Sequence, residues 1–195
     1  MGRRSWNGWF VLAVLAIWPL SSGATVVVHV GLEEMSQASP VIAHAQVKSV
    51  EVIAPQEGVL MTRVTFQARD VIRGQKDFEE GELTVQVLGG RGLDREVRIP
   101  GMPTFRVGEE VLVFLERTSQ GHAFTGLSQG VFRIHQETMT GQRVASRTIR
   151  GLGLVDLDAN EGMQWTHSPT PVVNHPLSNL LAEIRFHLKA EEVSR

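Results

Sequence analysis

The sequence contains no cysteine and no tyrosine. The absence of cysteine excludes disulfide bonds, lipid attachment at a cysteine, thiol chemistry and zinc sites built on thiolates. Small secreted animal domains usually depend on disulfides, so a cysteine-free exported chain fits a bacterial envelope or secreted protein better. Three of the four tryptophans lie within the first 20 residues, which leaves Trp165 as the only tryptophan in the remainder.

Long apolar runs are also scarce, because residues 9–20 form the one run that approaches the length of a membrane span. Arg3 and Arg4 precede this run, and small residues precede a cut after Ala24. The pattern predicts a secretory signal peptide over residues 1–24, with an uncleaved anchor as the alternative. Residues 25–195 are expected to form a single domain, since a chain of roughly 170 residues buries about 70% of its unfolded surface.

No stretch of the sequence carries a block of one sign of charge. The 19 basic and 21 acidic residues are interspersed, and the net charge is −2. Nucleic-acid binding needs a basic patch or stripe, and a helix that lies on a membrane needs a basic amphipathic face. We therefore expect no nucleic-acid partner and no stable membrane insertion after signal cleavage. The predicted signal peptide indicates a secreted or periplasmic location.

The residues that are present predict many short strands. Apolar and polar residues alternate over residues 41–52, 61–69 and 83–87, whereas residues 111–115 form a continuous apolar run typical of a strand buried on both faces. Near the C-terminus, leucine and isoleucine recur at helical spacing over residues 177–188, with Ser178 as the expected N-cap. The sequence predicts a mainly β fold, a sandwich or small barrel, with a C-terminal α-helix packed on it.

The adjacent acids Glu109 and Glu110 raise the question of a carboxylate site. Neighbouring residues of a strand point to opposite faces, whereas a paired-carboxylate site needs both side chains on one side. We interpret Gly108 as the turn residue, and the two glutamates as the solvated beginning of a strand.

A second acidic stretch resembles the beginning of a calcium loop, since Asp156, Asp158 and Asn160 alternate. However, Glu161 occupies the position of the required glycine, and His167 occupies that of the bidentate glutamate. The interpretation we prefer is a hairpin loop, with a weak calcium site as the alternative.

The sequence offers no catalytic, cofactor or metal motif. The seven histidines show neither His-x-His nor HExxH spacing. Residues 126–130, which include Ser128, come closest to the nucleophile-elbow motif of hydrolases, but no helix is predicted after them. We expect a protein that is not an enzyme; a hydrolase would need His44 or His135 beside an acid and a nucleophile contributed from distant positions.

Two glycine-containing loops are the candidate partner-binding rim, since binding residues often lie on loops of a rigid scaffold. The sequence around residues 89–92 is glycine-rich but lacks a phosphate-binding motif. Residues 100–105 form the second loop. The candidate contact residues in the two loops are Gly90, Arg91, Gly101, Met102 and Phe105.

Three stretches resemble strands of the OB-fold barrel of the netrin-module and tissue-inhibitor-of-metalloproteinases superfamily. They are "SQASPVIAHAQVKSVEV" (residues 36–52), "TRVTFQARDVIRGQ" (62–75) and "FRVGEEVLVFLE" (105–116). Together with "IPGMPTF" and "GLSQGVFRI", they also resemble a set of uncharacterised bacterial secreted proteins. The resemblance covers roughly residues 32–135 and implies an OB-like small β-barrel.

The resemblance also implies an activity for the N-terminus. In the animal inhibitors, an N-terminal cysteine chelates the zinc of the protease through its free amine and carbonyl. The candidate here is Thr25, which becomes the N-terminus after cleavage behind Ala24, although no disulfide anchors it. The sequence as a whole predicts an exported, non-enzymatic binding protein whose partner is another protein or an envelope component. A secreted hydrolase and a structural envelope protein are the alternatives.

Overall fold

The computed structural model describes residues 25–56, 59–148, 152–158, 162–165 and 173–193. The predicted signal peptide, residues 1–24, lies outside these ranges. Within them, none of the helices combines the length and the apolar character that a membrane span requires.

The fold is mainly β, as the sequence predicts, with a helix near each end of the described chain. The helices are α1 (Leu32–Ala38) and α2 (Leu177–Val193). The strands are β1 (Thr25–Val28), β2 (Val41–Gln56), β3 (Val59–Arg73), β4 (Glu82–Leu88), β5 (Gly90–Arg91), β6 (Glu96–Val97), β7 (Glu110–Thr118), β8 (Gly121–Phe124), β9 (Val131–Gln136), β10 (Arg143–Arg147), β11 (Leu152–Asp158), β12 (Gly162–Trp165) and β13 (Val173–Pro176).

Most strands belong to one antiparallel sheet of eight strands. Seven of them follow one another in the order β13-β10-β9-β7-β2-β3-β4, and the eighth, β8, lies off this path. The strand β8 pairs with the second half of β7, beyond the ladder that β9 forms with the first half. A separate sheet holds β1 parallel to β11, with β12 antiparallel to β11. The short strands β5 and β6 pair only with each other.

Alternation in β2 places its side chains in two different cores. Val41, Ala43, Ala45 and Val47 are buried in the first core, whereas Ile42 is buried in the second. The ladder between β2 and β3 shifts register at several points, including the one after Val47. Because such bulges bend a strand and increase its twist, the sheet curls around the first core.

The first core fills the inside of the curled sheet and contains an aromatic cluster. Phe105 lies between Phe66 and Phe124, with 5.3 Å between its ring centroid and each of theirs. Phe105 comes from the loop between β6 and β7, so its burial attaches that loop to the sheet.

The second core lies on the outer face of the sheet, where α1 and α2 pack against it. Met35 of α1 and Leu180 and Ile184 of α2 are fully buried there. Arg185 of α2 forms an ion pair with Asp70 of β3 at 2.7 Å between Nη2 and Oδ2. The predicted packing of the C-terminal helix on the sheet is therefore confirmed.

Steric constraints require glycine at position 74, directly after β3. Gly74 adopts a left-handed φ of 86°, and a Cβ at this position would lie 2.7 Å from the carbonyl oxygen of Pro40. Only glycine meets both conditions without a shift of the backbone.

The sequence-based description needs three corrections. No ladder among the described residues closes the sheet into a barrel, because β4 and β8 are not paired. The glycine-rich segment is not wholly a loop, since Gly90 and Arg91 pair with β6. Ser178 is not an N-cap, because α2 already begins at Leu177 and directly follows β13.

Candidate binding site

The loop of residues 100–105 is fixed at both ends. Phe105 is only 9% exposed and packs in the first core, so it anchors the loop instead of offering a contact to a partner. Gly101 is also buried, with a φ of 80°. Its carbonyl oxygen accepts a hydrogen bond of 2.9 Å from the backbone N–H of Ser128. The loop is thus held against the 3-10 turn of residues Leu127–Gly130.

This 3-10 turn places two polar side chains in different environments. Gln129 is fully buried and binds the N-terminal segment, donating to the carbonyl of Val28 and accepting from the N–H of Val30, each at 3.0 Å. Ser128 is 9% exposed, and its hydroxyl has no hydrogen-bond partner among the described residues. A buried polar group without a partner is costly, so this hydroxyl calls for an explanation.

The backbone beside Ser128 is strained. Leu127 has a φ of 61°, a conformation that non-glycine residues seldom adopt. Such strain costs of order 1–3 kcal/mol and is concentrated at functional sites. Leu127 therefore marks the same turn as the unpartnered hydroxyl does.

Ser128 lies in the wall of a cavity of about 380 Å³, which we call the Ser128 cavity. The other lining residues are two apolar ones, three charged ones and two threonines: Met102, Pro103, Arg106, Glu109, Arg133, Thr104 and Thr148. The volume is within the range of small-ligand sites, roughly 300–1,000 Å³. Of the candidate contact residues, only Met102 lines this cavity.

The charges around the Ser128 cavity are partly paired. Glu109 accepts hydrogen bonds from Arg133 Nε at 3.2 Å and from the backbone N–H of Arg106 at 2.9 Å. Arg133 also donates through Nη2 to the carbonyl of Thr104 at 2.6 Å. Within the described residues, no hydrogen bond or ion pair involves the guanidinium of Arg106, and the residue is exposed.

Ser128 has no activating base. A serine nucleophile needs a general base within hydrogen-bond distance. The Ser128 hydroxyl has no such partner in the described part of the chain.

A polar cluster on the outer face of the sheet escaped the sequence interpretation. His44 Nε2 lies 2.6 Å from Glu110 Oε1, which also pairs with Arg143 and lies 3.6 Å from Arg69 Nε. Burial raises the pKa of Glu110, but the hydrogen bonds from His44 and Arg143 outweigh this effect and hold the pKa below its usual range. Glu109 and Glu110 do point to opposite faces, as predicted, yet each belongs to an ion-pair cluster.

This cluster contains the acid that the hydrolase alternative required beside His44. The contacts of the pair within the described residues are to arginines, and no hydroxyl is among them. His135 is exposed elsewhere on β9. The signal that could have found the cluster is the register of β2 with β7, which places His44 opposite Leu112, two residues from Glu110.

The remaining candidate residues lie away from the Ser128 cavity. Thr25 begins β1, and its backbone pairs with that of Leu152 in β11. Gly90 packs closely against Thr62 of β3, and Arg91 is exposed beside it. Neither loop residue nor Thr25 lines the cavity.

The suspected calcium segment forms part of a hairpin. Asp156 and Asp158 belong to β11 and pair with Gln164 and Gly162 of β12. Asn160 lies outside the described residues. Within the part of the chain that is described, no three carboxylate or histidine side chains come together as a metal site.

A larger groove of about 580 Å³ lies between β3 and α2. Two ion pairs lie in this groove, Arg185 with Asp70 and Arg73 with Glu191. The Ser128 cavity is therefore the stronger candidate, because it contains a polar group with unused hydrogen-bonding capacity.

The sequence matches no protein-family model, no curated protein and no solved structure. The resemblance to the netrin-module superfamily therefore rests on the quoted sequence stretches alone and stays a prediction.

Proposed function

We propose that the protein is an exported, non-enzymatic binding protein that holds another protein or an envelope component at the Ser128 cavity. The observation that carries the proposal is the buried Ser128 hydroxyl, which lacks a hydrogen-bond partner in the described residues. A polar group that costs stability in the empty protein is accounted for when a ligand supplies its partner. The absence of a base beside this hydroxyl favours binding over catalysis.

The experiment is an affinity capture with matched variants. The chain from Thr25 is immobilised, an envelope and culture extract of the source organism is passed over it, and mass spectrometry identifies the retained species. We expect a species that the wild type retains and that Arg106→Glu releases, because the substitution reverses the charge of an exposed rim residue.

The control variant is Lys189→Glu, which makes the same charge reversal at an exposed position on α2. This residue lines the larger groove on the other side of the sheet, so the retained species should be unaffected. A species released by Lys189→Glu and kept by Arg106→Glu would assign binding to the larger groove and contradict the proposal.

Protease inhibition through Thr25 is the version that the sequence resemblance favours, and one contact supports it. Gln129 binds Val28 and Val30, so the residues that follow Thr25 are held to the fold without a disulfide. This version would be favoured over the Ser128 cavity if the captured species were a metalloprotease. Its capture should then be lost on acetylation of the N-terminus and kept in the Arg106→Glu variant.

A further inference from the structure

The lining of the Ser128 cavity has more charged hydrogen-bond donors than charged acceptors, and the hydroxyls of Thr104 and Thr148, which also line it, can donate or accept. The two arginines that line it, Arg106 and Arg133, can only donate. Both oxygens of Glu109, which also lines it, are already engaged, one by Arg133 and the other by the backbone of Arg106. The hydroxyl of Ser128 can rotate to donate to an incoming group. An excess of donors favours a ligand that accepts hydrogen bonds.

The charge balance favours a ligand with a single negative charge. Two arginines and one glutamate leave the lining with a net charge of about +1, which a monoanion neutralises. A dianion would leave a net negative charge in the cavity beside Glu109, which is less favourable. A carboxylate fits the donors and this charge together.

Part of the cavity wall is apolar. Met102 is half-buried and Pro103 is buried, and both line the cavity. A methionine side chain is flexible and adapts to different apolar shapes. A short hydrocarbon chain attached to the carboxylate would pack on this wall.

We propose that the Ser128 cavity binds a carboxylate that carries a short apolar chain. This proposal rests on the proposed function, because it takes the Ser128 cavity as the binding site. The carboxylate can belong to a free acid or to the C-terminus of a peptide chain that ends in an apolar residue. Both sources have the same recognising chemistry, namely Arg106, Arg133 and the Ser128 hydroxyl around the carboxylate.

The test is a titration of the ¹⁵N-labelled chain from Thr25, in which two-dimensional NMR spectra are recorded as each probe is added. The probes are 4-methylpentanoate, its alcohol, inorganic phosphate, and acetyl-glycyl-leucine with either a free carboxylate or a C-terminal amide. We expect saturable shifts of the backbone N–H signals near residues 102–106 and 128–133 with the two carboxylates only. Tighter binding of the peptide acid than of 4-methylpentanoate would identify a chain terminus as the source, and the reverse order a free acid.

Two variants and a control locate the site. Ser128→Ala should weaken carboxylate binding about tenfold, since it removes a hydrogen bond to a charged group. Arg106→Gln should weaken binding up to about fivefold, because the residue is exposed and its ion pair is screened. Lys189→Gln, which changes a charge on α2, should leave the affinity unchanged. The spectrum of each variant also verifies that it is folded.

Equal binding of the alcohol or of phosphate would overturn the proposal, and so would carboxylate binding that neither Ser128→Ala nor Arg106→Gln weakens. The outcome is separable from that of the proposed function. If no carboxylate binds but Arg106→Glu still releases the captured species, only the carboxylate proposal is wrong. If carboxylates bind and no species depends on Arg106, the partner proposal is wrong.

Discussion

At the scale of single residues, Asp77 forms an ion-pair cluster that joins distant parts of the sheet. Both of its oxygens accept hydrogen bonds from Arg117, at 2.8 and 2.6 Å, and His122 Nε2 lies 3.2 Å from Oδ1. The contact of Asp77 with Arg117, followed by that with His122, lowers the pKa of Asp77 from 3.8 to about 2 against the opposing effect of burial. The cluster ties the turn after β3 to the hairpin of β7 and β8.

Asp77→Asn should lower the free energy of unfolding by about 1–2 kcal/mol at neutral pH, because the charged hydrogen bonds to Arg117 are lost. Asp77 takes up its proton near pH 3.8 when unfolded and near pH 2 when folded. Its contribution is therefore present above about pH 4 and is lost as the pH falls to about 2. Urea unfolding from pH 7 to pH 2 measures this difference between wild type and variant.

The control for this prediction is Asp94→Asn, at an exposed aspartate. It should leave the free energy of unfolding within about 0.5 kcal/mol of the wild type at every pH, as surface substitutions usually do. A difference between Asp77→Asn and wild type that stays constant down to pH 2 would contradict the assigned role of the charge.

Residue roles were only partly predictable from the sequence. The opposite orientation of Glu109 and Glu110 follows from strand geometry alone. The partners of these two glutamates, Arg133 and His44, are distant in sequence, so only the strand register reveals them. Phe105 was predicted as a contact residue because it lies in a loop, but burial of its large apolar side chain in the core is the stronger effect.

At the scale of elements, α2 is held to the sheet chiefly by apolar packing. Leu177, Leu180 and Ile184 are buried in the second core, and Leu181 and Leu188 pack at its edge. The ion pair of Arg185 with Asp70 joins two half-exposed side chains, so it contributes little by comparison.

Leu180→Ala should destabilise the protein by about 2–5 kcal/mol, because a fully buried leucine leaves a cavity under the helix. Phe186→Ala is the matched control on the same helix, since Phe186 is 70% exposed. The control should change the free energy of unfolding by less than about 0.5 kcal/mol. Equal losses in thermal or urea unfolding would mean that α2 is not packed as described.

The elements themselves were largely predictable, whereas their pairing was not. These signals are local: alternation located β2, β3 and β4, the continuous apolar run located β7, and helical spacing located α2. The parallel pairing of β1 with β11 and the pairing of β10 with β13 join distant segments, which local patterns cannot specify. Sequence patterns also gave no reason to expect the open order that leaves the sheet unclosed.

At the scale of the whole molecule, the arrangement of layers explains where the Ser128 cavity lies. The helices cover the outer face of the sheet, whereas the Ser128 cavity lies where the loop of residues 100–105 meets the 3-10 turn and β9. These three segments contribute Met102, Ser128 and Arg133 to the lining of the cavity. Because these residues come from three separate segments, the site could not be assembled from sequence spacing.

The central claim is that the Ser128 hydroxyl serves a ligand and not the fold, and equilibrium unfolding of Ser128→Ala in urea tests it most directly. The account predicts that Ser128→Ala without ligand is at least as stable as the wild type. The substitution removes a buried hydroxyl whose desolvation penalty no hydrogen bond offsets. A loss of more than about 1 kcal/mol would mean that the hydroxyl has a structural partner and would contradict the account.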